Sequence, residues 1–280
     1  MLQDIFPHRF LITYDSNRTP QPDDSLILMQ NDQFLLHNVD RRLRFPLCCE
    51  QNFSNCRYLF SIDDRAYFWK DSDSFVIESD YKAVTSSFFR QRSGDKVLDF
   101  VGLTASQLIR WYHENRFCSS CGHPTEHDAK ERMLFCPNCG RQVYPKISPA
   151  LILAVYDGDR LLMSRYRGHN SDLPLGADSA LLAGFMEVGE TPEDAAHREV
   201  MEETGIRIKN LRYYRSQPWS ISDSLLLGFT AELDGDDTIT VQEDELSVAG
   251  WVHRKDIIRE NDDFSLTNEM ICAFRDGLLP

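Results

Sequence analysis

The sequence contains no long hydrophobic segment, and this absence limits where the protein can reside. None of its 280 residues lies in an apolar run of about 18 or more, the length that a membrane-spanning helix needs. The first residues also lack the basic stretch and the uninterrupted apolar run of a secretory signal peptide. We therefore expect a cytoplasmic protein.

Basic residues are few relative to acidic ones. The chain has 30 Lys and Arg against 44 Asp and Glu, which gives a formal net charge of −14. A surface of this sign repels the phosphate backbone of nucleic acids, which argues against a strong grip on the body of an RNA. It repels small phosphate compounds for the same reason. An enzyme that acts on phosphates would therefore need metal ions to hold its substrate.

Internal repeats and long low-complexity segments are absent too, and the length allows one large domain or two to three smaller ones, each with its own core. Residues 1 to about 95 alternate short apolar runs with Asp, Asn and Ser, which is typical of a small sheet-rich domain. Thr104 is predicted to cap a helix, with Gln107 as its capping-box partner. From Ile147 onward, predicted strands and helices mix without regular alternation, which indicates an α+β fold or a mixed-sheet sandwich. We place the domains at 1–95, 96–143 and 144–280.

Half of the eight cysteines form a pattern. Two C-x-x-C pairs lie close together, and each pair is followed by glycine: Cys118, Cys121, Cys136 and Cys139. Thiolates at this spacing can converge on Zn²⁺, and four of them leave no open position for catalysis. The sequence therefore predicts a structural zinc ribbon with one ion per chain. The remaining cysteines and the nearby histidines show no such pattern and are interpreted as core or surface residues.

A third signal is an acidic helix predicted at residues 192–204. Thr191 can cap it, Pro192 suits its first position, and Gly205 suits the left-handed conformation beyond its end. Three carboxylates share one face at i, i+3 and i+4 spacing: Glu199, Glu202 and Glu203. They could hold a hard divalent cation such as Mg²⁺ or Mn²⁺. They could equally form a solvated acidic face, and this helix alone leaves the two readings open.

Residues 184–206 resemble the signature of the Nudix hydrolase family at every defined position: Gly184, Glu190, Arg198, Glu199, Val200, Glu202, Glu203, Gly205 and Ile206. The resemblance implies an α/β/α sandwich in which the signature forms a loop, a helix and a second loop. It also implies that Mg²⁺ or Mn²⁺ is bound by Glu199, Glu202, Glu203 and the backbone oxygen of Ala183. Glu190 and Arg198 would then organise the loop and the helix.

A four-cysteine ribbon directly before such a domain resembles one subfamily, the NADH pyrophosphatases. Tyr144 stands in its Tyr-Pro motif, Glu245 at the place of a late metal ligand, and Ser216–Trp219 at the start of its substrate array. The subfamily continues Pro-Phe-Pro, a variable residue and Ser, whereas this chain has Ser220–Ser224. Thr267 also stands at a position where the subfamily has an alanine that lines the site. The resemblance implies substrate contacts from Tyr144, Phe185, Gln217, Pro218, Trp219, Ser220, Ile221, Ser222, Asp223, Ser224 and Thr267. Without the resemblance, each aromatic residue would be interpreted as a core residue.

The expected activity is metal-dependent hydrolysis of the pyrophosphate bond of NADH or NAD⁺, giving nicotinamide mononucleotide and AMP. Three alternatives remain: pyrophosphatase activity on ADP-ribose or another nucleoside diphosphate derivative, removal of NAD caps from RNA 5′ ends, and non-catalytic nucleotide sensing. The subfamily resemblance further implies a homodimer.

Overall fold

The computed structural model describes residues 1–51, 55–71, 79–168, 171–241 and 246–279. The chain forms two compact units: Met1–Gln3 with Ile147–Pro280, and Asp4–Lys146. The finer three-domain division stays a prediction. None of the helices in the described ranges has the length and apolar character needed to cross a membrane.

The unit Asp4–Lys146 begins with a seven-stranded sheet. Its strands are β1 (Phe10–Leu11), β2 (Ser25–Gln30), β3 (Gln33–Val39), β4 (Arg42–Arg44), β5 (Arg57–Ile62), β6 (Arg65–Asp71) and β7 (Tyr81–Val84). They lie in the order β1-β5-β6-β2-β3-β4, with β7 also paired to β3. Buried side chains such as Leu26, Phe34 and Phe60 form the core of this sheet. The predicted sheet-rich N-terminal region is confirmed.

Two helices follow this sheet, α1 (Ser86–Arg90) and α2 (Lys96–Glu114). The cap of α2 is Asp95, whose side chain accepts a hydrogen bond from the N–H of Leu98 at 3.0 Å. The predicted cap at Thr104 was wrong, because the helix starts about two turns earlier. Gly102 lies inside this helix. A Cβ there would overlap with the ring of Phe89, so the packing of α1 against α2 requires a glycine at this position.

The zinc ribbon closes this unit with three short strands, β8 (Glu126–His127), β9 (Leu134–Phe135) and β10 (Gln142–Val143), in the order β10-β9-β8. Both neighbouring pairs are antiparallel.

The second unit contains a six-stranded mixed sheet and two helices. The elements are β11 (Ser148–Asp157), β12 (Arg160–Tyr166), β13 (Leu182–Phe185), α3 (Pro192–Thr204), β14 (Ile208–Trp219), β15 (Ser224–Leu233), β16 (Leu246–His253) and α4 (Leu266–Arg275). The order is β14-β15-β11-β12-β16, with β13 also paired to β11. The β11–β15 pair is parallel, and the other described pairs are antiparallel.

Strand β11 shows why this sheet carries a helix on each face. Its side chains alternate between two cores, as the period of a strand requires. Leu151, Leu153 and Val155 pack with α3, whereas Ile152 and Ala154 pack with α4. The arrangement is the expected α/β/α sandwich. It places β13 and α3, the two ends of the signature, next to each other.

Candidate functional site

The signature helix α3 has the ends that its sequence predicts. The hydroxyl of Thr191 accepts a hydrogen bond from the N–H of Asp194 at 3.1 Å, and Pro192 occupies the first turn. At the other end Gly205 has φ 69°, and its N–H donates to the carbonyl of Met201. The loop and the helix are therefore held at defined points, which sets the positions of the carboxylates between them.

Arg198 is the hub of this segment. Its Nε and Nη2 donate to the two carboxylate oxygens of Glu190 at 2.6 and 2.8 Å, in a bidentate pair. Its Nη1 donates to Glu199 at 2.8 Å and to Glu202 at 3.0 Å. Its Nη2 also reaches the carbonyl oxygen of Phe185 at 3.1 Å. One guanidinium thus ties the loop, the end of β13 and two helix carboxylates together.

Glu190 and Arg198 each stabilise the charged form of the other. Hydrogen bonds from Arg198, together with the N–H of Glu187, lower the pKa of Glu190 to about 2. The hydrogen bonds to Glu190 and to the other two carboxylates raise the pKa of Arg198 above its ordinary value. Both groups therefore stay charged over the whole physiological range.

The three carboxylates of the helix differ in exposure. The Glu202 side chain is 52% exposed, whereas Glu199 and Glu203 are buried. The carboxyl group of Glu199 lies so close to the backbone of Gly184 that a Cβ on that residue would overlap with it. Next to Gly184, the carbonyl oxygen of Ala183 accepts a hydrogen bond from the hydroxyl of Tyr166 at 3.3 Å. Glu245, the remaining predicted ligand, lies outside the described residues.

This donor set fits a hard divalent cation. All its donors are oxygen atoms, and two of its carboxyl groups are withdrawn from water, which is costly unless a positive charge compensates them. Within the described ranges, the carboxylates do not gather into a group of three with all ligand atoms within 4.8 Å. Glu199 and Glu202 instead share Nη1 of Arg198.

Three large apolar side chains of this segment are exposed: Phe185 at the end of β13, Val188 on the loop and Met201 on α3, at 52%, 103% and 43%. An exposed aromatic ring next to a phosphate site is suited to stacking on a base. Tyr144, predicted as another substrate contact, lies in the other unit. It is 52% exposed, and its hydroxyl donates to Glu131 at 2.7 Å.

The predicted substrate array spans the end of β14, the turn after it and the start of β15. Its Gln217 has no exposed surface. The amide Nε2 donates to the carbonyl of Phe264 at 2.8 Å and to Gln3 Oε1 at 3.2 Å, and the amide oxygen accepts from the N–H of Leu266 at 2.7 Å. Gln217 therefore joins β14 to the start of α4 and offers no surface to a ligand in this structure. The sequence pattern could not show this, because each partner is distant in the chain.

The other array residues are more accessible. Trp219 is partly buried, and its ring meets that of Phe264 edge-on at 5.8 Å between centroids. The turn that follows includes Asp223 with φ 54°, and the hydroxyls of Ser222 and Ser224 lie 2.9 Å apart. Ser224 is buried, whereas Pro218 and Ser222 are exposed, and Ser220, Ile221 and Thr267 are partly exposed. The turn and the first residues of α4 thus present mixed apolar and hydroxyl surface.

The sequence did not predict a role for Arg165 and Tyr166, which bind the loop before β13 and the carbonyl of Ala183 on β13. Arg165, on β12, donates to the carbonyl oxygens of Ser171, Leu173 and Asp178 at distances of 2.7–3.2 Å. Tyr166, the next residue, holds the carbonyl of Ala183. In the sequence, a basic residue before a tyrosine carries no recognisable signal.

The four cysteines of the ribbon come together as predicted. All four sulfur atoms lie within 4.8 Å of one another, with Cys118–Cys139 at 3.5 Å and Cys121–Cys136 at 3.4 Å. Zinc–sulfur bonds of about 2.3 Å in a tetrahedron would separate the sulfurs by about 3.8 Å, which matches this cluster. The two knuckles have equivalent turns, since Gly122 has φ 73° and Gly140 has φ 74°. The residues fit a structural zinc site.

The backbone favours thiolates at this site. N–H groups and neighbouring side chains, first among them the N–H of His123, lower the pKa of Cys121 to about 6. The N–H of Arg141 acts in the same direction on Cys139, but the three other sulfurs around it raise the pKa of that thiol to about 12. Four thiolates in one place therefore require a cation, as a zinc site supplies.

The sequence was compared with known families and proteins. Residues 146–273 match the NUDIX domain, and residues 113–144 match the NADH pyrophosphatase zinc ribbon domain. A protein of Klebsiella pneumoniae named NAD-capped RNA hydrolase NudC is 35% identical over 189 residues, which cover 68% of this chain and 71% of that protein. A protein of the same name from Haemophilus influenzae is 47% identical over 145 residues, 52% of this chain and 54% of that protein. For this second relative, the chain spans about half of its length.

The fold is also similar to a solved structure of a Nudix hydrolase from Nitrosomonas europaea. The match includes 57% of this chain and 91% of that protein, with 20% sequence identity and a TM-score of 0.46.

Proposed function

The chain belongs to the Nudix hydrolases that carry an NADH pyrophosphatase zinc ribbon, and from this membership we propose that it hydrolyses the pyrophosphate bond of NADH or NAD⁺. The products are nicotinamide mononucleotide and AMP. The observation that carries the proposal is the Arg198 hub. This guanidinium holds Glu190, Glu199 and Glu202 in one constellation and also donates to the carbonyl of Phe185, whose side chain is exposed.

The catalytic residues in this proposal are Glu199, Glu202 and Glu203, which together with the Ala183 carbonyl would hold Mg²⁺ or Mn²⁺, and Glu190 and Arg198, which position them. The bound ion supplies charge neutralisation of the diphosphate and a water of lowered pKa. The carboxyl group of Glu199 lies against the backbone of Gly184, the residue that follows Ala183. Tyr166 orients that carbonyl. A carboxylate released from Arg198 is then available to accept the proton of the attacking water.

Substrate recognition in the proposal comes from aromatic and hydroxyl groups around this centre. Phe185 and Trp219 offer rings for the bases, and Ser220–Ser224 offer hydroxyl and backbone groups. Gln217 contributes by holding β14 against α4. Tyr144 and Thr267 complete the proposed set. Because the Pro-Phe-Pro segment of the subfamily is replaced here by Ser220–Ser222, one ring and two rigid positions are missing, and the affinity for the nicotinamide end is expected to be lower.

A second candidate substrate is the NAD cap at the 5′ end of an RNA. The relatives from Klebsiella pneumoniae and Haemophilus influenzae are named for this activity, and the bond to be cut is the same. The net charge of −14 supports weak contact with the RNA body. The affinity for an NAD cap would then be similar to the affinity for free NAD⁺. ADP-ribose is the third candidate. The same proposal includes a homodimer and a cytoplasmic location.

The experiment that tests the proposal is turnover by the purified chain with Mg²⁺ or Mn²⁺ on NADH, NAD⁺, ADP-ribose and an NAD-capped oligoribonucleotide. We expect hydrolysis of NADH and NAD⁺ that EDTA abolishes and added Mg²⁺ restores. Hydrolysis of ADP-ribose alone would move the assignment to the wider class of nucleoside diphosphate derivatives. Binding of these compounds without any turnover would instead show a nucleotide sensor.

A further inference from the structure

A cavity outside the Nudix unit has a composition unlike the rest of this acidic chain. It measures about 250 Å³ and lies where strands β5 and β6, the end of α2 and the ribbon meet. The described residues that line it include two arginines, two histidines and no Asp or Glu: Asn55, Arg57, Trp69, Tyr112, His113, Arg116, Thr125, His127 and Leu134. The chain has 44 Asp and Glu, so a cavity whose described lining contains none of them differs from the rest of the protein.

Arg57 is the central group of the cavity. It faces Trp69 across the β5–β6 pair, and its guanidinium lies 4.7 Å from the ring centre of Tyr112 and 5.9 Å from that of Trp69. Within the described ranges no carboxylate pairs with it. Burial lowers the pKa of Arg57, and only the hydroxyls of Tyr112 and Tyr14 oppose that effect. Aromatic faces compensate a withdrawn cation only partly, which leaves its donors available to an anion.

Trp69 adds a further hydrogen-bond donor beside Arg57. Trp69 is 7% exposed, and its indole N–H finds no hydrogen-bond acceptor among the described residues. The ring of His127 lies 5.2 Å from that of Tyr112, where loss of solvent and the charge of Arg57 lower its pKa to about 4. Its imidazole is therefore neutral at pH 7 and contributes a hydrogen-bond donor without adding charge. Arg116, an exposed residue, adds the second guanidinium.

We propose that this cavity is a second binding site, for the phosphate group of a small phosphate monoester or of inorganic phosphate. Two guanidiniums suit a dianion, because each presents parallel N–H donors that match two phosphate oxygens. The rings of Trp69 and Tyr112 stack on each other, with 13° between their planes, and Arg57 lies over both. The two rings therefore hold the guanidinium of Arg57 in place. The group that the site recognises is the phosphate of the ligand, which the guanidinium binds.

The four tryptophans allow this site to be followed separately from the Nudix site. Trp69 lines the cavity and Trp111 is adjacent to Tyr112, whereas Trp219 and Trp251 belong to the other unit. Indole N–H signals of the full, zinc-loaded chain are recorded by NMR without divalent metal, and the Trp69 signal is assigned from Trp69→Phe. Titration with inorganic phosphate and with AMP should shift the Trp69 signal to saturation. An effect of AMP on Trp219 reports the Nudix site independently.

Three variants make this test specific. Arg57→Gln and Arg116→Gln should each weaken phosphate binding by roughly tenfold or more, because each removes charge-assisted hydrogen bonds. Arg42→Gln, a change at an exposed arginine of β4 in the same unit, should leave the affinity unchanged. Since Arg57 is packed against rings, Arg116→Gln provides the decisive result if Arg57→Gln fails to fold.

The inference is overturned by a Trp69 signal that never saturates, by unchanged affinity in Arg116→Gln, or by tighter binding of malonate than of phosphate. Saturation by AMP but not by inorganic phosphate supports the site and assigns it to monoesters. Each of these results stands whether or not the chain hydrolyses NADH.

Discussion

The carboxyl group of Glu199 packs directly onto the backbone of Gly184, with no room for a Cβ between them. Gly184 lies on β13 and Glu199 on α3, so the contact joins the first and the central residue of the signature. It explains physically why a glycine stands at the start of this motif. The glycine does not serve a turn, because its φ is not positive, but provides space for a carboxylate next to the carbonyl of Ala183.

Gly184→Ala should therefore damage catalysis more than folding. The methyl group displaces the Glu199 carboxylate, and a shift of about 1 Å at a catalytic group can cost on the order of 100-fold in rate. Overpacking should lower the free energy of unfolding by about 1–3 kcal/mol. Turnover of NADH and thermal unfolding measure the two effects. Gly158→Asn, at an open turn with φ 55°, is the control and should leave both unchanged. Full activity in Gly184→Ala would contradict the role of this contact.

Glu203→Gln should abolish turnover while the fold stays intact. The change keeps the size of a buried side chain and removes one negative ligand from the proposed cation site. In EDTA the thermal midpoint should stay the same or rise, because a negative charge among other carboxylates is removed. Glu193→Gln, on the exposed first turn of the same helix, is the matched control with normal turnover. Near-normal activity of Glu203→Gln at saturating Mg²⁺ would refute the ligand assignment.

The Glu190–Arg198 pair should make stability depend on acid pH. The folded state lowers the pKa of Glu190 from 4.5 to about 2. The pair therefore stabilises the protein fully above pH 4.5, and this contribution disappears as the pH falls towards 2. Denaturation of the wild type and of Glu190→Gln should accordingly show a stability difference at pH 7 that shrinks below pH 4.5. A difference that is constant down to pH 3 would show that the pair does not act through the charge of Glu190.

Cys121→Ser should impair folding more than chemistry. Structural zinc contributes roughly 10–16 kcal/mol of apparent binding free energy that is coupled to folding. Metal analysis should find about one zinc per wild-type chain and a large loss in the variant, together with a lower thermal midpoint. Cys49→Ser, at an exposed cysteine outside the cluster, is the control. Folded and active wild-type protein without zinc would refute the assignment.

Trp219→Ala should weaken substrate binding by about 1–3 kcal/mol, the range for stacking of a base on an aromatic side chain. The loss should appear in KM rather than kcat, because the carboxylates of the signature are untouched. Trp219→Phe should retain most of the affinity, since it keeps a ring that can pack on Phe264. If Trp219→Ala leaves KM for NADH unchanged, or raises it equally for ADP-ribose, the array does not recognise nicotinamide.

Local signals in the sequence were sufficient for much of this architecture. The predicted signature helix, 192–204, has the observed bounds, because its cap, its first proline and its terminal glycine all act within one turn of the helix ends. The ribbon followed from the spacing of its cysteines for the same reason. Where a local signal competed with packing, as at Thr104, the prediction was wrong, because the buried face of α2 already begins at Leu98.

The sequence by itself determined which residues can bind metal, because residue type and local spacing decide donor chemistry: four thiols in two knuckles and three carboxylates on one helix face. Only the tertiary structure decided how these groups are held. The use of Gln217 between β14 and α4 joins segments distant in the chain, and the Glu199–Gly184 contact and the Arg165 bonds to the loop join elements that meet only after folding. The cavity around Arg57 likewise arises from a sheet, a helix and a ribbon that meet only after folding. Local patterns carry no information about such contacts, because their geometry is set by the packing of whole elements.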